Sequence, residues 1–174
     1  VKGICRDISK DNCVVSAAIF NTPEQIVISG HSTAVEKAIA RAKEDGAKRA
    51  VKLSVSVPCH CCLLDKVAEA FKANLNQVEL SDCKIPVIPN CDPKLFHSKD
   101  NIRELLVRQI NSPVRWQETI EKMTTMGVDT IVEIGPKRIL SGLIRKIDRN
   151  IRVLNVEDAG SLEKTVEFFI KGKG

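Results

Sequence analysis

A histidine in a cysteine-rich stretch is the first candidate for chemistry in this sequence. His60 stands in the motif Pro58-Cys59-His60-Cys61-Cys62, between an apolar run, Val51 to Val57, that predicts a β-strand and a predicted helix, Leu63 to Leu75. Open α/β sheets carry their sites at the carboxyl ends of strands. An imidazole titrates near neutrality, so it can accept and return a proton at physiological pH. His60 is therefore a candidate general base, and a histidine satisfied in the core is the equally weighted alternative.

Three other kinds of site are candidates in this sequence. A metal site would use His60 and five cysteines: Cys59, Cys61, Cys62, Cys83 and Cys91. Zinc thiolates normally come in spaced pairs, whereas adjacent cysteines point apart, so we predict no metal. Thiol catalysis by Cys59 or Cys61 with His60 is disfavoured because the side chains of sequence neighbours diverge. Gly30-His31-Ser32-Thr33-Ala34 imitates a Gly-x-Ser-x-Gly nucleophile elbow, but Ala34 replaces the last glycine, and Ser32 is predicted to be a helix N-cap.

The composition bounds the class of protein. The 174 residues are 43% hydrophobic and 28% charged, which predicts one soluble domain, with or without a small subdomain. The sequence has no membrane-spanning run and no signal-peptide pattern at its start. It also lacks an initiator Met, so we expect an upstream portion to be missing. Seven cysteines, an odd number, predict reduced thiols and a cytoplasmic location.

The net charge of +5 is unevenly distributed. One basic cluster precedes the predicted His60 strand, and a second lies late in the chain: Lys48, Arg49 and Lys52; Lys137, Arg138, Arg145, Lys146, Arg149 and Arg152. Such clusters favour anionic partners, although a solvated helix face explains any single residue. Trp116 is the only Trp and Tyr is absent, so the sequence offers no aromatic platform for nucleic acid.

The apolar pattern divides the chain near residue 55. Before it, two strands (Val14–Phe20 and Gln25–Ser29), a helix (Ser32–Asp45) and a strand (Arg49–Val55) resemble part of a split βαβ unit, with residues 1–9 as the tail of a preceding helix. After it, strands and helices alternate, which predicts a parallel sheet with helices on both faces. The predicted strands are Ile85–Ile88, Thr130–Ile134 and Val153–Val156. The predicted helices are Leu63–Leu75, Asn101–Ile110, one with Pro113 in its first turn that runs to Met126, one opened by Pro136, and Leu162–Ile170.

An ordered set of motifs closely resembles the malonyl-CoA:acyl-carrier-protein transacylases, which belong to the acyltransferase family. The set comprises Asn21-x-Pro23-x-Gln25-x-Val27-Ile28-Ser29-Gly30, Gly46-Ala47-Lys48-Arg49-Ala50, Val55-Ser56-Val57-Pro58-Cys59-His60, Leu106-Val107-Arg108-Gln109, Ser112-Pro113-Val114-Arg115-Trp116 and Glu133-Ile134-Gly135-Pro136-Lys137. The resemblance runs from about Val14 to Asn155. It implies acyl transfer from coenzyme A to acyl carrier protein in fatty-acid synthesis, through an acyl-serine intermediate. It also implies no metal or organic cofactor, because the coenzyme A thioester is a substrate.

The resemblance assigns roles to individual residues. His60 matches the catalytic histidine, and Gln109 matches the position whose main-chain carbonyl holds the other ring nitrogen of that histidine. Arg49 matches a basic position near the entrance for coenzyme A and carrier protein. Asn21, Val55 and Cys59 match substrate-binding positions, with Cys59 lining the acyl pocket. The family architecture implies that residues 1–55 belong to a ferredoxin-like subdomain and 56–174 to a hydrolase-like α/β core.

The family's serine elbow, oxyanion-hole segment and carboxylate-binding arginine are not found in this chain. We therefore expect the carboxy-terminal portion of such an enzyme, which is inactive without its amino-terminal portion. Malonyl-CoA and acyl carrier protein are the implied partners, and nucleic acid and membrane are not. A related acyltransferase with another acyl group and a non-catalytic module that binds carrier protein remain the alternatives.

Overall fold

The structure is a computed structural model, and it describes residues 1–10 and 12–172. The described part of the chain is α/β, with seven α-helices, one antiparallel pair of strands and one parallel pair. The predicted α/β class is confirmed. The chain divides into two units, one from Val1 to Trp116 and one from Gln117 onward. None of the helices described is both long and apolar enough to cross a membrane.

A β-hairpin with two helices on it begins the first unit. Strands β1 (Val15–Thr22) and β2 (Gln25–Gly30) pair antiparallel, and helices α1 (Lys2–Ile8) and α2 (Ser32–Glu44) pack against them. Small side chains at the contact, Cys5, Val15, Ala34 and Ala38, are almost fully buried, so the helices approach the strands closely. The predicted hairpin, the α2 helix and a helix within residues 1–9 are confirmed.

The predicted strand before His60 is wrong. Residues 51–57 form no strand, and the side chains of Val51, Leu53, Val55 and Val57 are all more than half exposed. A strand exists only by pairing, and no described segment pairs with this one. The predicted strand Ile85–Ile88 also forms no ladder, and Ile85 is 75% exposed. Both runs carry strand-forming residues without a partner strand.

Two helices and a short helical turn surround the position of His60. A 3₁₀ turn at Cys62–Leu64 leads into α3 (Asp65–Leu75), which contacts α4 (Ile102–Asn111). The end of α4 meets the start of α3, because the Asn111 amide donates to the Asp65 carboxylate at 2.7 Å. The next helix, α5, is Trp116–Thr125, so Pro113 does not lie in its first turn as predicted. Val114 instead bridges to β1.

The second unit contains the parallel pair of strands. Strands β3 (Thr130–Ile134) and β4 (Arg152–Val156) pair in register, with α6 (Ile139–Ile147) between them in sequence and α7 (Ala159–Lys171) after them. Helix α6 begins three residues after Pro136, which was predicted to open it. The Glu133 carboxylate, at the end of β3, accepts hydrogen bonds from the backbone N–H groups of Leu140 and Ser141 and from the Ser141 hydroxyl.

Candidate active site

His60 occupies a left-handed backbone conformation, with φ of +60°. Histidine tolerates this region better than most residues, but an L-residue there still costs free energy. The turn is held from both sides of the histidine. The Cys59 N–H donates to the Val57 carbonyl at 2.9 Å, and the buried Cys61 thiol donates to the Pro58 carbonyl at 3.2 Å. These contacts fix the direction in which the imidazole leaves the chain.

Two main-chain carbonyls at the end of α4 bind His60. The ring Nδ1 lies 2.9 Å from the Gln109 carbonyl oxygen, and the His60 N–H donates to the Ile110 carbonyl at 3.2 Å. The last carbonyls of a helix lack intrahelical donors. The residue four after Gln109 is Pro113, which has no N–H, and the N–H of Val114 donates to Ala18 instead. The sequence thus leaves both oxygens free for His60.

This geometry fixes the chemistry that the imidazole can perform. A carbonyl only accepts, so Nδ1 carries the proton and the neutral ring presents Nε2 as an acceptor. Nε2 has no hydrogen-bond partner among the described residues, and the side chain is half-buried. A histidine oriented through one nitrogen and open at the other can act as a general base. Within residues 1–10 and 12–172, no hydroxyl or thiol is bonded to it.

The structure brings one other predicted site residue, Gln109, into contact with His60. Asn21 is half-buried near the end of β1, which is tied to the segment after α4 by hydrogen bonds at Val114. Arg49, Val55 and Cys59 are exposed. Val55 and Cys59 lie within five residues of His60 in the sequence. Among the described residues, no hydrogen bond joins their side chains to the imidazole.

The competing sites of the sequence analysis are not assembled here. The described residues contain no cluster of three metal-ligating side chains, and the seven cysteines are unpaired, with Cys61 and Cys91 buried and Cys59 and Cys62 exposed. The elbow-like sequence ends the antiparallel strand β2. The N-cap of α2 is His31 and not Ser32 as predicted, since the Ser32 hydroxyl contacts Glu36 and Lys52.

Sequence reasoning missed a second histidine beside Gln109. The ring Nε2 of His97 lies 3.5 Å from the Gln109 side-chain nitrogen, and burial lowers the pKa of His97 below its ordinary value. His97 lies outside any regular element, in a stretch whose composition signals only a loop. The Lys-Leu-Phe-His context carries no periodicity that could have predicted the contact.

Comparison with known proteins identifies the family of this chain. The family model for the acyl transferase domain matches residues 3–170. The malonyl CoA-acyl carrier protein transacylase of Haemophilus influenzae is 44% identical over 157 residues, which are 90% of this chain and 50% of that protein. The Bacillus subtilis protein of the same name is 39% identical over 167 residues, covering 96% and 53%. The chain thus spans about half the length of these curated relatives.

Solved structures agree with the sequence comparison. A malonyl-transacylase in complex with its type II PKS acyl-carrier protein has a TM-score of 0.91 at 40% identity, covering 95% of this chain and 53% of that one. The transacylase of Clostridium perfringens has a TM-score of 0.90 at 42% identity, covering 98% and 54%. With a family model that matches nearly its whole length, this chain belongs to the acyl transferase domain family.

Proposed function

We propose that this chain is the carboxy-terminal half of a malonyl-CoA:acyl-carrier-protein transacylase and that it supplies the general base. The observation that carries the proposal is the 2.9 Å contact between His60 Nδ1 and the Gln109 carbonyl, which leaves Nε2 as the acceptor. The resemblance of the motif around His60 and the names of the relatives indicate the reaction.

The proposed reaction has two acyl transfers that share one base. A serine hydroxyl gives its proton to His60 Nε2 while its oxygen attacks the thioester carbonyl of malonyl-CoA. Collapse of the tetrahedral intermediate expels the coenzyme A sulfur, which takes the proton from His60. The thiol of the carrier protein then gives a proton to Nε2 and attacks the acyl-serine, and the serine oxygen recovers that proton as it leaves. The Gln109 carbonyl keeps Nδ1 protonated throughout.

The serine comes, in this proposal, from an amino-terminal portion with which the chain assembles. Two observations support such a partner. The relatives are about twice as long as this chain. Val51, Leu53, Val55 and Val57 are 54–67% exposed, in a run that pairs with no described strand. Burying the exposed half of each of these side chains contributes roughly 1 kcal/mol, and a partner strand would also satisfy their backbone groups.

The finer architecture and the remaining site residues belong to the same proposal. We assign residues 1–55 to a ferredoxin-like subdomain and 56–174 to a hydrolase-like core of the complete enzyme. Arg49 is exposed and suits the phosphates of coenzyme A, and Asn21, Val55 and Cys59 are assigned to substrate binding. The assignment needs no resident cofactor. A cytoplasmic location rests on the cysteine content alone.

An acidic carrier protein is the proposed macromolecular partner. All six cations of the late basic cluster are exposed: Lys137, Arg138, Arg145, Lys146, Arg149 and Arg152. Exposed charges of one sign accelerate association with an oppositely charged partner and lose effect with salt. The double variant Arg145→Glu, Lys146→Glu should lower kcat/KM for the carrier protein while leaving the rate of malonyl-CoA hydrolysis unchanged.

Reconstitution tests the proposal directly. The chain is mixed with the amino-terminal half of the Bacillus subtilis transacylase, and transfer of radiolabelled malonyl from coenzyme A to carrier protein is measured. We expect activity from the pair, none from either half, and a loss of at least about a thousandfold with His60→Ala. A pair that forms a complex but transfers no malonyl, or a fully active His60→Ala pair, would refute the proposal.

The same assay separates the alternatives. A related acyltransferase would form a labelled acyl-serine with acetyl- or methylmalonyl-CoA but not with malonyl-CoA. A non-catalytic module would bind carrier protein equally well with and without His60→Ala and transfer nothing.

A further inference from the structure

A loop residue that the proposed mechanism does not use lies against Gln109. The His97 ring contacts the Gln109 side-chain amide, Nε2 to Nε2, at 3.5 Å, while the main-chain carbonyl of the same glutamine holds His60 at 2.9 Å. Side chains on a helix lean toward its amino terminus. The Gln109 amide therefore reaches back along α4, toward the loop that precedes this helix.

The loop around His97 is held rigid by its neighbours. The Asn101 side chain accepts from the Ser98 N–H at 2.8 Å and donates to the Phe96 carbonyl at 2.9 Å, so one amide secures the residues on both sides of His97. The His97 N–H donates to the Val87 carbonyl at 2.9 Å. A side chain carried on such a loop is a fixed reference point and not a mobile group.

The chemical state of His97 suits a contact with an amide. Burial lowers the pKa of His97, so the ring is neutral at physiological pH. A neutral imidazole has one unprotonated nitrogen. Because an amide nitrogen only donates, the unprotonated nitrogen of His97 is Nε2, which accepts from the Gln109 amide. Nδ1 is buried and has no partner among the described residues, which leaves Gln109 as the polar contact of the ring.

We propose that His97 is a positioning residue, which holds the Gln109 side chain and thereby keeps the Gln109 carbonyl on Nδ1 of His60. The last turn of a helix frays readily, and a carbonyl without an intrahelical donor moves with that turn. His97 restrains the turn from outside the helix. The role in turnover rests on the proposed function, whereas the effect on the His60 tautomer does not.

Histidine NMR on the intact 174-residue chain tests the positioning role, because the sequence has only three histidines. The measured quantity is the ratio of the Nδ1–H to the Nε2–H tautomer of neutral His60 in ¹⁵N-histidine-labelled protein. His97→Phe keeps a ring without nitrogens, and we expect it to lower the ratio about three- to tenfold, as the loss of one hydrogen bond allows. His97→Gln returns an amide to the Nε2 position and should restore the ratio to within about twofold.

Further variants make the test specific. Gln109→Met removes the side-chain amide but keeps the carbonyl, so it should lower the ratio as His97→Phe does, and the double variant should add nothing. This variant decides the question if His97→Phe does not fold. His31→Gln, which changes a histidine bound to the Val14 N–H, serves as the control and should leave the ratio unchanged.

The reconstituted enzyme adds an independent measurement. We expect His97→Phe to lower kcat about three- to tenfold with KM for malonyl-CoA unchanged. An unchanged His60 tautomer ratio in both folded His97→Phe and Gln109→Met would overturn the positioning role, as would a His97→Gln variant as perturbed as His97→Phe. An inactive wild-type pair would count against the proposed function alone, because the tautomer ratio is read on the chain by itself.

Discussion

The strained backbone at His60 predicts an unusual order of stability for two variants, with Gly more stable than Ala. Replacing His60 with Gly or with Ala removes the same imidazole and the same bond to the Gln109 carbonyl, but only Gly adopts a φ of +60° freely. An L-residue costs about 1–2 kcal/mol in the left-handed region. The greater entropy of unfolded Gly offsets about 0.5–1 kcal/mol of this. We therefore expect His60→Gly to be about 0.5–1 kcal/mol more stable than His60→Ala.

Urea unfolding of both variants, followed by circular dichroism and extrapolated linearly to water, measures this difference. Cys59 is the matched control, since it is the adjacent exposed residue and its φ is not positive. There Gly should be less stable than Ala, the ordinary order. If His60→Ala equals or exceeds His60→Gly in stability, the left-handed turn is not what the chain adopts, and the proposed direction of the imidazole falls with it.

Three other contacts give predictions of stability. Glu133→Gln should cost about 2 kcal/mol at pH 7. Burial raises the pKa of Glu133, but the hydrogen bonds from the start of α6 outweigh burial and hold this pKa below its usual value. The stabilisation is therefore present above the pKa of Glu133 in the unfolded chain and is lost as pH falls through its pKa in the folded chain. Wild type and variant should accordingly have the same free energy of unfolding in acid. Asn111→Ala breaks the 2.7 Å hydrogen bond to the Asp65 carboxylate and should lower the free energy of unfolding in urea by about 1 kcal/mol. Because the charge of Asp65 strengthens this bond, the same substitution should cost less in an Asp65→Asn background. Gly30→Ala would drive a Cβ into the backbone at Val14 and Val15 and should lower the free energy of unfolding by at least about 2 kcal/mol. Gly46→Ala should lower it by about 1 kcal/mol, because φ there is +89° but the space around the Cβ is open. Equal shifts in melting temperature for the two variants would contradict this reasoning.

The sequence could predict those elements that carry a clear local signal. The α2 helix, the β1–β2 hairpin and the parallel strands β3 and β4 follow from periodicity and turn residues, and the structure has them within a few residues. Pro136 misled the prediction of α6, because the Glu133 carboxylate, and not the proline, satisfies the first N–H groups of that helix. Only the fold brings that side chain to the helix start.

The predicted strands at 51–57 and 85–88 failed for the opposite reason. Their side chains have strong β-propensity, but propensity describes a fit to a neighbouring strand and not a property of the isolated segment. Val55 is 67% exposed and Ile85 is 75% exposed because no described strand covers them. The local pattern indicates the β-propensity of these residues correctly, but it contains no information on whether a partner strand is present.

The candidate site divides in the same way. His60 could be singled out from its type and its place after an apolar run, and the motifs gave Gln109 its role by resemblance. The positive φ of His60 and the contact of His97 with Gln109 could not be predicted, because each depends on residues far apart in sequence. Pro113 offered a usable signal, since a proline four residues after a helical carbonyl always leaves that carbonyl without its intrahelical donor.

The geometry of the base is built entirely within this half of the proposed enzyme. A strained residue persists only where its surroundings over-determine it, and here the Cys61 thiol and the carbonyls of Gln109 and Ile110 do so. The unpaired run at 51–57, by contrast, leaves its apolar side chains without cover. Substitutions at Val51 or Leu53 should therefore weaken assembly of the two halves without altering the His60 tautomer, whereas substitutions at Gln109 should alter the tautomer without weakening assembly. In the proposed enzyme, the base would thus be preformed in this half, and assembly would add the serine.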